Sequence, residues 1–162
     1  MNEAMRLQAN PEWYRDRAYA ALRLGLDATA AIDIHTYMSL ADQGPHPSVY
    51  ASFVAAIAYW RLGQPTAAMQ ILEEVRHGVP PASWTASVID FLQERLPEQR
   101  FLDRAKTHGQ RTEAHTYIGF KEAIAGRRDA AVKHFQWVRD QGSKTSNEYE
   151  MAQGELRRLQ AR

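Results

Sequence analysis

Side chains able to move protons, hold metals or attack electrophiles are sparse and scattered in this chain. Its six histidines, His35, His46, His77, His108, His115 and His134, show no HExxH or other ligand spacing. His115 and His134 are the two that neighbouring helices would bring together. Two imidazoles leave a tetrahedral metal short of ligands, so a packed or solvent-facing role is expected and no metal site. The absence of cysteine removes disulfides, thiolate ligands, a thiol nucleophile and any thiol that could carry a lipid. There is no G-x-S-x-G and no glycine-rich phosphate loop. The carboxylate pairs Glu73-Glu74 and Glu148 with Glu150 have polar neighbours, so a solvated helix face is expected rather than an apolar pocket that would raise a pKa. Arg127-Arg128 opens a helix, while Arg157-Arg158 and Arg162 suit a helix C-terminus; these clusters are too short to argue for nucleic acid. No catalytic residues, no cofactor and no enzymatic activity are expected.

The totals agree with that reading. In 162 residues, 44% hydrophobic and 24% charged, there is enough apolar material for one compact domain or a short repeat array. Twenty Lys and Arg against 19 Asp and Glu give a net charge of +1, which supplies no long-range attraction for nucleic acid or an anionic membrane. The start, MNEAMRLQANPEWYRDR, has no apolar core of a signal peptide, and the longest apolar run, Phe53 to Trp60, is too short to span a bilayer. The expectation is a cytoplasmic chain without a transmembrane segment, or a periplasmic one if a leader has been trimmed away.

The elements that would position these residues are helices. Gly25, Gly44, Gly63, Gly78, Gly109, Gly126 and Gly142 each follow a run with helical apolar spacing, where the residue past a helix end favours a left-handed backbone. Pro11, Pro47, Pro65 and Pro97 sit where helices would begin. Asn10 fits an N-cap, and Thr145 with Glu148 has capping-box spacing. The predicted helices span 11–24, 28–43, 47–62, 65–77, 83–96, 97–108, 112–125, 128–141 and 145–160, with no strand signal. Short turns between them require antiparallel neighbours, and the fold class is all-α.

Setting Gly63 and Gly126 at the inter-helix turn aligns Val49–Val79 with Thr112–Gly142. Ala56 then matches Gly119, Ala68 matches Ala131, Leu72 matches Phe135 and Val75 matches Val138; on Gly25 the same frame gives Ala18, Ala30, Ile34 and Tyr37. Small residues there allow two helices to cross closely, and larger residues one turn on fill the space beside them. This pattern resembles the tetratricopeptide repeat (TPR) family. The segments Thr112 to Gly119, Ala125-Gly126, His134-Phe135, Asn147 to Ala152 and Glu155 to Leu159 resemble the close of the NlpI-type bacterial TPR adaptor lipoproteins. The resemblance implies a single TPR-like domain over 1–162: a right-handed superhelix of helix pairs at about 11–43, 47–77, 83–108 and 112–141, closed by a capping helix at about 145–160 that lays Tyr149, Ala152, Leu156 and Leu159 on the last pair.

What the resemblance implies for function is a scaffold that binds another protein, with homodimerisation an open option. In such stacks the first helix of each pair lines a concave face. Offsets from the turn glycines place Arg15, Tyr19, Leu22 and Arg23, then Tyr50, Phe53, Ile57, Trp60 and Arg61, then Thr116, Phe120 and Ile124 on it. Tyr19, Tyr50, Phe53, Trp60, Arg61 and Phe120 are the candidate partner groove, because aromatic groups beside Arg are the types that concentrate binding energy. The same stripe also fits a core covered by a neighbouring helix or a second copy. The family's clamp for a C-terminal carboxylate needs asparagines on the concave helices, and Asn2, Asn10 and Asn147 cannot occupy them. The alternatives are a chaperone for a secretion or assembly client and a regulatory subunit of a larger enzyme using His115 and His134.

Overall fold

The structure is a computed structural model that describes residues 10–41 and 48–161. Among the described residues it contains helices and turns and no strand. The helices are α1 (Pro11–Arg23), α2 (Asp27–Ala41), α3 (Val49–Arg61), α4 (Pro65–Arg76), α5 (Trp84–Leu92), α6 (Glu98–Arg104), α7 (His108–Ile124), α8 (Arg128–Gln141) and α9 (Asn147–Gln160). None is long and apolar enough to cross a membrane. Gly44, His46, Pro47 and Arg162 lie outside the described residues, as do the expected end of the second helix and start of the third. The chain divides into two compact units, Met1–Ile71 and Leu72–Arg162.

One turn recurs. At the end of α1 the Gly25 N–H donates to Leu22 O and the Leu26 N–H to Ala21 O, with Gly25 at φ 73°. Gly63 (φ 70°) repeats this with Trp60 O, and Gln64 with Tyr59 O; Gly126 (φ 77°) repeats it with Ala123 O, and Arg127 with Glu122 O. These paired bonds satisfy the orphan carbonyls of the last helical turn and reverse the chain. A fourth copy has no glycine: Glu94 stands at φ 62°, its N–H donating to Phe91 O and that of Arg95 to Asp90 O.

The side chains follow the same frame. Ala18, Ala30 and Ile34 are fully buried, as are Ala56, Ala68 and Leu72, then Ala131, Phe135 and Val138. Gly119 is buried too, Tyr37 nearly so, and Val75 is half-buried. At the third crossing the ring of Phe135 takes the place of a Gly119 side chain: a Cβ there would lie 2.6 Å from it.

In the first unit α1 packs on α2 and α2 on α3. Two ion pairs lock them: Arg17 reaches the buried Asp33 through two bonds of 2.6 Å, and Arg61 from the end of α3 reaches Asp27 at 3.0 Å and Leu22 O at 3.3 Å. In the second unit α7 and α8 form a hairpin, α9 packs on both, and α5 and α6 pack on each other and on α7. Met151, Ala152, Leu156 and Leu159 are the buried apolar side chains of α9, while Tyr149 is only half-buried. Arg128 donates to Leu159 O at 2.6 and 3.1 Å, fastening the end of α9 to the start of α8.

Several boundaries differ from expectation: α5 and α6 end early, at Leu92 and Arg104, and three further differences have a capping reason. Gly109 lies in the first turn of α7, because Thr107 Oγ1 accepts from the Gln110 N–H and Gln110 Oε1 accepts from the Thr107 N–H. Ser146, not Thr145, caps α9 by accepting from the Tyr149 N–H at 3.1 Å. Pro97 is the N-cap of α6 rather than its first helical residue.

Replacing Gly119 by Ala sets two effects against each other. Helix propensity favours Ala by about 1 kcal/mol, whereas forcing a methyl into a filled core costs about 1–3 kcal/mol. Phe135 is fully buried and cannot swing away, so Gly119→Ala should be destabilising in urea unfolding, and Phe135→Leu in that background should recover part of the loss. A more stable G119A protein would contradict the close crossing.

Candidate functional site

Two of the expected groove residues lie in the core. Phe53 is 0% and Phe120 1% exposed, so both are core residues. Phe120 meets Phe135 edge-on at 5.4 Å, and Phe53 meets Tyr50 edge-on at 5.3 Å. The Arg61 side chain is 6% exposed and committed to Asp27 and Leu22 O, which makes it a structural tie rather than a partner contact. Tyr19, Tyr50 and Trp60 are half-buried. The reason is visible on α3: every residue from Ala51 to Ala58 is buried, so this helix has no single apolar stripe whose opposite side is free. Phe120 belongs to the second unit and the other five candidates to the first.

The α7–α8 hairpin does bring His115 and His134 together. Their Nδ1 atoms are 2.9 Å apart, and the His115 ring stacks on Trp137 at 3.9 Å with a 16° tilt. One ring must donate an Nδ1–H and the other accept, so the bond requires at least one neutral imidazole. Burial pushes His115 down to about 4, with the His134 charge adding to the effect. Burial also lowers His134, against opposing pulls from Glu98 and Glu122; the Glu98 carboxylate is 3.8 Å from His134 Nε2. Among the described residues no three His, Asp or Glu side chains are grouped to hold a metal. The other described histidines are elsewhere: His35 bonds the Tyr59 hydroxyl, His108 contacts Gln141 O at 2.6 Å, and His77 is exposed.

Of the carboxylates expected on solvated faces, Glu150 is exposed and Glu73 is half-buried, accepting from Gln93 and Arg95. Glu148 departs from that expectation. It is 7% exposed in the first turn of α9, and burial raises its pKa despite bonds from its own backbone N–H and the Tyr117 hydroxyl. Its sequence neighbours are polar, but the helix packs that face onto α7, where Thr116 donates to Glu148 O.

A cavity of about 460 Å³ lies beside the starts of α5 and α7. It is lined by Ser83, which caps α5 by accepting from the Ala86 N–H, and by Trp84, whose indole stacks on Phe101 at 5.0 Å and donates to Glu113 at 2.8 Å. The lining also includes Arg104, which donates to Ser87 Oγ at 3.2 Å, and Lys106, which donates to Asp103 O at 2.6 Å. Thr107 and Gln110, the capping box of α7, belong to it as well. Sequence reasoning missed the cavity because its lining comes from two separated segments, 81–87 and 104–110; the readable signal was the Thr107-x-x-Gln110 cap.

Comparison with protein-family models, curated proteins and solved structures found no match for this chain.

Two pH effects follow, with opposite signs. His115 has a folded pKa near 4 against an ordinary value of 6.5, so its contribution to stability is complete above pH 6.5 and is lost as pH falls toward 4, where the unfolded chain binds the extra proton. His115→Phe keeps a ring against Trp137 and should flatten the fall in melting temperature across that interval; an unchanged slope would exclude the pair as its source. Glu148 has a raised folded pKa, so its contribution is complete below its ordinary value of 4.5 and is lost as pH rises through the folded pKa. Glu148→Gln should therefore raise the melting temperature at neutral pH and leave it little changed in acid. A lower melting temperature at pH 7 would count against this.

Proposed function

We propose that this chain is a protein-binding adaptor of the tetratricopeptide kind, a right-handed superhelix of helix pairs that holds a peptide or helical partner. The observation that carries the reading is the recurrence of one turn at Gly25, Gly63 and Gly126 with small buried residues at the same offsets: Ala18 with Ala30, Ala56 with Ala68, and Gly119 with Ala131. Tandem hairpins of this kind make extended surfaces suited to binding other chains. A second observation supports it. Among the described residues the large apolar side chains that stand exposed, Trp13, Leu24, Leu26, Ile32, Leu62 and Met69, all fall within the first unit. Exposed apolar area concentrated on one part of a molecule is a common mark of a contact surface.

The proposed partner surface therefore leaves out the buried Phe53, Arg61 and Phe120 and takes in the exposed apolar side chains of the first unit, where Trp13 is 67% and Ile32 64% exposed. The test begins with co-purification from the native source and continues with calorimetric titration of the purified partner. Trp13→Ser with Ile32→Ser should weaken that binding by more than about tenfold while circular dichroism shows unchanged helicity. Full-strength binding by the folded double variant would reject this surface. A His115-dependent catalytic activity of the isolated chain would reject the adaptor reading itself.

A further inference from the structure

The cavity beside α5 and α7 has a one-sided chemistry. Among its lining residues are two cations, Arg104 and Lys106, and no carboxylate. Among the described residues neither cation has a carboxylate partner: Arg104 bonds the Ser87 hydroxyl and Lys106 a backbone carbonyl. A guanidinium has five donors and an ammonium three, so most of their capacity is unspent. Gln110 adds to it. Its Oε1 already accepts from the Lys106 and Thr107 N–H groups, which leaves the Nε2 as a donor.

The nearby acids stand outside the lining. Asp103 accepts from Gln99 at 3.0 Å and Glu113 is held by the Trp84 indole N–H, and neither lines the space. Ser83 and Thr107 each take one first-turn N–H, that of Ala86 in α5 and that of Gln110 in α7, so these two are spent. The lining also carries apolar groups: the exposed Pro81 and Ala82, and the Trp84 ring, which stacks on Phe101. A lone oxyanion would leave most of about 460 Å³ empty, whereas pockets for small organic ligands run from about 300 to 1,000 Å³.

We infer that this cavity binds an organic oxyanion, a carboxylate or phosphate head between Arg104 and Lys106 carried on an apolar body that lies against Trp84. This site does not depend on the adaptor reading.

The test uses the full chain labelled with ¹⁵N and follows the Trp84 indole and Gln110 amide signals. The probes are N-acetyl-leucine, its neutral amide, phenyl phosphate and inorganic phosphate. Saturable millimolar shifts with N-acetyl-leucine identify a carboxylate site, and with phenyl phosphate a phosphate site. For a carboxylate site the inference expects the neutral amide to bind at least about tenfold more weakly than the acid, since each lost charge-assisted bond is worth about that factor, and for a phosphate site it expects phenyl phosphate to bind at least about tenfold more tightly than the neutral amide. Arg104→Gln with Lys106→Gln should weaken the charged probe by a similar factor or more. Equal binding of the acid and its amide, or no saturable shift with either organic anion, overturns the inference. So does inorganic phosphate binding as tightly as phenyl phosphate, because the apolar lining would then be unused. The comparison of acid with amide needs no substitution and stands even if the double variant fails to fold.

Discussion

A left-handed residue just past a helix end is the constraint on which this architecture depends. At Gly25, Gly63, Glu94 and Gly126 the same two backbone bonds close the old helix and turn the chain back on itself. Once the turn is fixed, the distance along each helix to the crossing point is fixed as well. That is why small residues recur at matching offsets, and why Phe135 can press into the space that Gly119 leaves. The ion pairs of the first unit work within that frame: Arg61 binds both Asp27 and Leu22 O, which lie on either side of the Gly25 turn.

Much of this was legible in the sequence because only glycine adopts a positive φ without cost. Gly25, Gly63 and Gly126 could be read as turns for that reason, and the alignment built on them placed Ala18, Ala56 and Gly119 at equivalent buried positions. Glu94 could not be read this way. A glutamate in a left-handed conformation costs about 1–2 kcal/mol and leaves no mark in composition. Gly109 misled in the opposite direction, since glycine is tolerated in a first helical turn, and the deciding signal was the reciprocal cap between Thr107 and Gln110.

The candidate site was less legible, because sequence periodicity gives the face of a helix only when the other face is exposed. Around α3 both faces are covered, so Phe53 is core although it stands at a position expected on the concave side. The approach of His115 to His134 was foreseeable, since both offsets are measured from the same turn. The burial of Glu148 was not: its sequence neighbours are polar, and only the packing of α9 on α7 removes it from water. The Arg104 and Lys106 cavity is likewise a product of tertiary placement.

Glu94 has a further meaning for how the second unit moves. Its turn joins α5 to the short α6 and is held by the same backbone bonds as the glycine turns, but from a backbone state that resists them. Strain of this kind lowers the free energy of local opening without altering the core elsewhere. The turn between α5 and α6 is therefore the place where that unit stores backbone strain, held there by Lys121 of α7, which donates to Glu94 at 2.7 Å.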